Sequence, residues 1–422
     1  MAKVLVIGSG GREQALAWKL AQSDKVDQVF VAPGNGGSTG KISNVDIGFT
    51  DVDSLLKFAL DNTIDLTVIG QEAASDAGAV DAFQAAGLTI FGPTQAATKL
   101  ESSKVFSKEL MAAENIPTAQ FQTFTDAAEA AKYAVSRPFP VVIKADGLAT
   151  GKGVIICYSS AEIDDAIDDI MVKKIFGASG NCVVVEDFLT GQEVSVHALC
   201  DGERAVIFPA SQDHKQVFDG DKGPNTGGMG VIAPVPWVTP HHIEMVSEQI
   251  VQPALRGLQK QNTPFTGCLY PGLMIDGDKI NLLEFNARFG DPEAEVYMRL
   301  LDSDLYDILT DCATGKLDPA SVIWKEGFAV TVVLCSHGYP GDYPKGLPIS
   351  GLEAAEKLED IVLFHAATTC DDDQVLTAGG RVLNVTATGS TLDEALDKAY
   401  AAVKLINFEG MHYRSDIGRR AS

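Results

Sequence analysis

The chain has 422 residues, 45% hydrophobic and 21% charged, with a formal net charge of −24. That length predicts about three domains with ordinary apolar cores, and no apolar stretch approaches the roughly 18 residues of a membrane span. So negative a surface repels nucleic acid and excludes a general nucleic-acid binder. Anionic small molecules stay admissible where glycine loops and a few Lys and Arg make local positive sites.

Cys157, Cys182, Cys200, Cys268, Cys312, Cys335 and Cys370 are scattered without a C-x-x-C pair. An odd, dispersed set predicts reduced thiols and a cytoplasmic setting. The apolar run over 4–7 stops at Gly8, which reads as a first buried strand instead of a signal peptide.

Residues 1 to about 100 alternate strand and helix. The pattern predicts strands over 4–7, 28–31, 66–69 and 89–91 and helices over 12–22, 52–62 and 77–86, hence a parallel sheet with crossover helices. Gly92-Pro93 closes this unit, and a helix-rich connector over 94–115 carries Lys104. Next come a helix over 126–135, strands over 141–144 and 154–157, a helix over 161–173 and a strand over 183–186, a small α+β unit. The stretch 191–325 holds two glycine-rich loops and one informative strand. A strand over 328–334 opens the last unit, which ends in a helix over 391–405. Asp371, Asp372 and Asp373 read as a solvated loop.

Gly8-Ser9-Gly10-Gly11-Arg12-Glu13 follows the first strand and opens a helix. It approaches the dinucleotide fingerprint, but Glu13 takes the third glycine position and no acid ends the second strand, which argues against a nicotinamide cofactor. Helix amides there can hold an anion such as a sugar phosphate; a tight turn without a ligand fits equally.

Lys144-Ala145-Asp146-Gly147-Leu148-Ala149-Thr150-Gly151-Lys152-Gly153 lies between two strands and is not a Walker loop. A glycine hairpin with two lysines suits a triphosphate; a flexible surface hairpin is the alternative. The strand ending at Glu186 offers an edge to adenine beside Phe188 and Leu189. Glu186 or Glu193 would accept from an amino group or ribose hydroxyl, although a plain strand end and a surface acid look the same. Ser211-Gln212-Asp213-His214-Lys215 and Gly223-Pro224-Asn225-Thr226-Gly227-Gly228-Met229-Gly230 suggest a substrate-enclosing loop. His214 reads as a hydrogen-bonding loop residue more than a base.

The run Leu282-Leu283-Glu284-Phe285-Asn286-Ala287-Arg288 places Glu284, Asn286 and Arg288 on one strand face and Leu283, Phe285 and Ala287 on the apolar other. Two hard oxygen donors and a guanidinium suit a magnesium–phosphate complex. A solvated face with a salt bridge shares that spacing.

A lysine before a glycine hairpin, a strand ending in Glu and a late Glu-x-Asn together resemble the ATP-grasp ligases. Adding Gly-Gly-Arg-Glu, the 143–149 and 211–215 motifs, 223–230, 285–293, Gly338-Tyr339-Pro340-Gly341-Asp342-Tyr343 and Tyr413-Arg414-Ser415-Asp416-Ile417-Gly418, the chain resembles the phosphoribosylamine–glycine ligase family nearly end to end. The resemblance implies an α/β and α+β multidomain fold. Its parts would be an N-terminal parallel α/β domain (1–101), an ATP-grasp core (102–123 and 191–326), a small lid (124–190) and a C-terminal α+β domain (327–422).

It also implies ATP contacts at Lys104, Lys144, Gly147, Gly151, Lys152, Gly153, Glu186, Phe188, Leu189 and Glu193. Mg2+, with Mn2+ as an alternative ion, would be held by Glu284 and Asn286. Glycine and 5-phosphoribosylamine would draw on Gly10, Gly11, Arg12, Glu13, Asp213, His214, Lys215, Thr226, Gly227, Gly228, Met229, Arg288, Gly290, Asp291 and Glu293. Among these, Arg288, Lys144 and Asp213 are the implied catalytic groups.

The implied reaction makes glycinamide ribonucleotide, ADP and phosphate through glycyl phosphate, in a cytoplasmic monomer with no nucleic-acid or membrane partner. Gln14, the segment Gln71-Glu72-Ala73-Ala74-Ser75-Asp76, Gln216 and Pro271 depart from the family's usual residues and bear on amine-substrate geometry. Another ATP-grasp carboxylate–amine ligase, or a nucleotide-binding regulator, stays open.

Overall fold

A computed structural model describes residues 1–147, 153–372 and 374–419. The first sheet is wholly parallel, in the order Ile42–Asn44, Val26–Pro33, Ala2–Gly8, Leu66–Ile69, Ile90–Phe91. Its central strands, Ala2–Gly8 and Leu66–Ile69, are buried on both faces, as crossover helices require, with Leu5 and Ile7 packing to one side and Val4 and Val6 to the other. Ile42–Asn44 was not expected; three residues are too few to show a period. The helix expected over 77–86 begins later, at Ala79. Gly78, at φ +88°, takes a left-handed turn that separates it from an unexpected helix, Glu72–Asp76.

An antiparallel sheet runs in the order Phe121–Phe124, Val183–Asp187, Val141–Ala145, Val154–Cys157, its first strand starting ahead of the expected boundary at 124. Helices Ala127–Val135 and Ser160–Ile167 cover one face, packing Ala130, Ala134 and Ile163 on Val141, Ile143, Val183 and Val185. Alternation leaves Lys144 and Glu186 on the opposite face. The helix expected over 161–173 is regular only to Ile167 and then widens into a π-turn over Asp168–Val172.

The long strand Thr266–Asp276 pairs with Gln192–Ser195, Ala198–Asp201 and Lys279–Asn286. A β-bulge interrupts the last pairing: Gly272 opposes Glu284, whereas Leu273 opposes Leu282. Leu283 is the extra residue and is only half-buried. That corrects the expected apolar face, which is Leu282, Phe285 and Ala287. Glu284 and Asn286 still share the other side, whereas Arg288, expected on the same strand, lies in a bend past its end and reaches back to Asn286. Pro271 sits beside this bulge, where a strand tolerates a missing N–H.

The C-terminal sheet runs Gln212–Asp213, Gly230–Ala233, Phe328–Cys335, Arg381–Gly389, Ile361–His365. It therefore recruits both feet of the 214–229 loop. Helix Leu392–Val403 packs Ala395, Ala399 and Val403 on it. The acidic triple was expected in a loop; Asp371 instead ends an exposed hairpin strand, Thr368–Asp371, paired with Gln374–Thr377, and Asp373 lies outside the described residues. Among the described residues no helix is long and apolar enough to cross a membrane, and all seven cysteines are free thiols.

Candidate active site

The first half of the site is a narrow lysine-lined cleft between the small antiparallel sheet and the strand Lys279–Asn286. Ser103 ends one helix and caps the next, accepting from the Phe106 amide at 3.1 Å. In that helix, Lys104–Ala113, Lys104 and Lys108 stand one turn apart and face the cleft together. Lys104 Nζ lies 3.2 Å from Glu284 Oε2. Lys108 Nζ and Lys144 Nζ converge on Glu186 Oε1 at 3.2 and 3.1 Å. Lys144 also donates to the carbonyl of the bulged Leu283 at 3.1 Å.

Burial pulls the Lys108 ammonium down to about 8 even with Glu186 beside it. Lys104 holds Glu284 down at about 2, against the cost of burial and with help from Lys144. That cleft gathers three lysines around two carboxylates, Glu186 and Glu284. Lys108 escaped the sequence reading, though its i,i+4 spacing from Lys104 was a usable signal.

The hairpin base is closed by the Ala145 amide donating to Gly153 O at 2.8 Å. Gly147 takes φ +138°, and a Cβ there would meet Ser179 Oγ at 2.2 Å. Gly151 and Lys152 lie outside the described residues. Phe188 is exposed and Leu189 half-buried at the end of the Glu186 strand. Glu193 stands 3.3 Å from Lys215, facing the second half of the site.

Glu284 and Asn286 present their oxygens on the same side of one strand. Asn286 Oδ1 accepts from Arg288 Nη2 at 3.3 Å. An ionised carboxylate beside an amide oxygen fits Mg2+, which takes few protein ligands and completes its shell from phosphates and water. Among the described residues no cluster of three or more His, Cys, Asp or Glu could hold a metal by itself.

Past Asn286 the surroundings become acidic. Arg288 is shared by Glu72 and Glu101, each 3.3 Å away. Glu101 also accepts the Ala287 amide at 2.7 Å. The unusual segment 71–76 thus brings a carboxylate to Arg288. Arg12 donates to Phe289 O at 3.0 Å and lies 2.5 Å from Glu13. Glu13 turns back to accept from the Gly10 amide at 2.6 Å, capping one free donor at the start of the helix Gly11–Leu20. Its carboxylate therefore shapes the glycine loop from within, and Gln14 reaches Gly37 O at 2.8 Å.

Burial pushes Asp213 up to about 7, against Lys215 at 3.5 Å and with Glu293 adding repulsion. Glu293 accepts from Tyr270 OH at 2.7 Å. His197 is fully buried and accepts from the Gly290 amide at 3.0 Å. Arg381 binds Asp291 through its carboxylate, at 3.1 Å, and its carbonyl, at 2.6 Å, and reaches Gly227 O at 2.6 Å. Thr226 donates twice to Lys215 O, from its amide at 2.8 Å and its hydroxyl at 2.7 Å, and accepts from Gly228 N at 3.0 Å.

His214 and Met229 are buried away from the cleft. Both His214 ring nitrogens meet main-chain groups, Gly230 O and Gly418 N, at 3.1 Å. Met229 packs in the C-terminal core. Glu101, His197, Tyr270 and Arg381 carried no local signal, because each acquires its partner across a long stretch of chain.

Models described as the phosphoribosylglycinamide synthetase N domain, ATP-grasp (A) domain and C domain match residues 2–101, 102–294 and 329–420. The phosphoribosylamine–glycine ligase of Vibrio cholerae is 48% identical over 422 residues, covering 99% of this chain and 98% of that one. The solved structure of phosphoribosylamine–glycine ligase from Thermotoga maritima superposes with a TM-score of 0.86 at 33% identity, over 98% of this chain and all of that one. The biotin carboxylase domain of Hydrogenobacter thermophilus 2-oxoglutarate carboxylase, solved with MgADP and bicarbonate, shares the fold alone. Its TM-score is 0.75 at 17% identity, over 97% of this chain and 91% of that one. Three domain models in sequence order and near-complete coverage at 48% identity show that the chain belongs to the phosphoribosylamine–glycine ligase family.

Proposed function

We propose that the chain joins glycine to 5-phosphoribosylamine at the expense of ATP, giving glycinamide ribonucleotide, ADP and phosphate. The observation that carries this is the Glu284–Asn286 strand face continued by Arg288, with a lysine-lined cleft at one end and carboxylates gathered on Arg288 at the other. A reaction that takes phosphate from a nucleotide and passes an acyl group to an amine needs both environments side by side.

A carboxylate is a poor acyl donor, so it must first gain a leaving group. A glycine carboxylate oxygen attacks the γ-phosphorus of ATP, and the bond to ADP breaks. The amine nitrogen of phosphoribosylamine then attacks the glycyl carbonyl carbon, loses a proton, and phosphate departs. Lys104 and Lys144, joined by Lys108, neutralise the triphosphate. Arg288 orients the glycine carboxylate, and Asp213, titrating near neutrality, takes the proton from the amine.

Glu284 and Asn286 would hold Mg2+, which when bound offsets charge on the phosphates. The first turn of helix Gly11–Leu20 takes the sugar phosphate, while Glu13 keeps the loop in shape. Closure of the small sheet over the lysine cleft excludes water from the acyl phosphate. The odd, dispersed set of cysteines suits a reducing compartment, and we read the enzyme as a cytoplasmic monomer with Mn2+ as an alternative ion.

Oxygen transfer tests the mechanism. Glycine labelled with 18O in its carboxylate should deliver one 18O into each released phosphate. Unlabelled phosphate would contradict attack by the carboxylate.

A further inference from the structure

The segment 411–418 takes no part in the steps above, yet it contains the largest fully buried side chain among the described residues, Arg414. A buried guanidinium is tolerated only where its donors are met. Arg414 Nε and Nη2 grip Asp416 with two bonds of 2.7 Å. Its Nη1 donates to Gln216 O at 3.1 Å and Asp221 Oδ1 at 3.0 Å.

Its neighbours hold the same piece of chain. Ser415 donates to Asp219 through both its amide, at 2.8 Å, and its hydroxyl. Asp416 accepts from the Gly220 amide at 2.8 Å, and His412 Nε2 lies 2.8 Å from Val217 O. The object held is the small hairpin Gln216–Phe218 and Lys222–Asn225. Its feet are Asp213–Lys215 on one side and Thr226–Met229 on the other. The holding segment is itself fixed to the C-terminal sheet, where His412 and Cys335 exchange main-chain bonds at 2.7 and 2.9 Å and Ile417 is fully buried.

Apolar side chains would anchor this segment without the desolvation cost of a buried ion pair. A directional fork instead fixes one orientation of the hairpin it grips. We infer that 411–418 is a strap and Arg414 a positioning residue: together they orient the 216–225 hairpin so that Asp213 and Lys215 meet the acid and amine substrates. This rests on the proposed function for what the loop handles, and adds what sets its geometry.

The test compares Arg414→Lys, which keeps charge but loses the fork, with Ser415→Ala, an exposed change that removes one grip. Lys398→Met, which breaks surface ion pairs on the same C-terminal unit, is the control. The expected loss in kcat/KM for glycine and for phosphoribosylamine is about 100-fold in Arg414→Lys, the cost of an ångström-scale misplacement. About 10-fold is expected in Ser415→Ala, the scale of one hydrogen bond to a charged group. KM for ATP should stay within about 3-fold and Lys398→Met should match wild type, since neither touches the strap's grip.

Amide exchange over 216–225 should quicken in both strap variants while Phe328–Cys335 keeps its protection. If Arg414→Lys does not fold, Ser415→Ala decides alone. Faster exchange in the hairpin with unchanged glycine kinetics overturns the inference. So does a loss that falls equally on ATP, which marks general damage. A wild-type enzyme that ignores glycine would instead contradict the proposed function; the strap would then be judged on whichever acid supports ADP release.

Discussion

The two halves of the cleft are charged in opposite senses. At the nucleotide end Lys104, Lys108 and Lys144 surround Glu186 and Glu284. At the acceptor end Arg288 is divided between Glu72 and Glu101, and Lys215 between Glu193 and Asp213. The first half is built in advance for an anion, and its lysines need only exchange carboxylates for phosphates. In the second, Arg288 and Lys215 are each already shared between two carboxylates, which a substrate's own charged groups must displace.

Removing the charge at the junction should break this arrangement most. Glu284→Gln is expected to lower kcat by about 10³-fold, the scale of losing a preorganised electrostatic group, with the fold intact by circular dichroism. Near-normal turnover at ordinary magnesium would remove Glu284 from the metal site.

Asp213→Asn probes the acceptor end through pH. Burial lifts the Asp213 carboxyl from 3.8 to about 7, so wild-type kcat/KM for the amine should fall as pH drops below about 7 and the base is protonated. The variant should lose about 100-fold, the lower range for a general base, and lack that limb. The sign for stability is opposite. Because the folded-state pKa is raised, the contribution of Asp213 is full below the unfolded pKa and is lost as pH rises to 7. The variant's melting temperature should therefore gain on wild type between about pH 5 and pH 8. A wild type that gains on the variant over that range would contradict the assignment.

A smaller effect is expected from Lys144→Met, which should raise KM for ATP by about 10- to 50-fold, one charge-assisted hydrogen bond, and leave the glycine constants alone. Unchanged ATP kinetics would place the triphosphate elsewhere. The mildest is Glu72→Gln. With one competitor for Arg288 neutralised, KM for glycine should fall by about 2- to 5-fold, the range of a partly exposed ion pair. A rise would mean that Glu72 orients Arg288 instead of competing for it.

How much of this could be read beforehand depends on how far each contact reaches along the chain. Glu284 and Asn286 were legible together because period-two alternation is local. The bulge that expels Leu283 depends on the partner strand Thr266–Asp276 and leaves no mark in the run itself. The parallel first sheet was legible from its apolar strands, apart from the three-residue Ile42–Asn44. Glu101 and Arg381 were not, since their partners lie 186 and 90 residues away at Ala287 and Asp291. The Tyr413–Gly418 motif could be seen as text, but its grip on the 216–225 hairpin belongs to tertiary structure.

The most direct measurement of the central claim is ADP release with a panel of acids and amines, each offered singly and in pairs. Full turnover should require glycine and freshly generated phosphoribosylamine together. Alanine should fall short by about 10- to 200-fold, as an added methyl group does in a closed pocket. ADP release that ignores glycine, or a clear preference for another acid, would contradict the assignment.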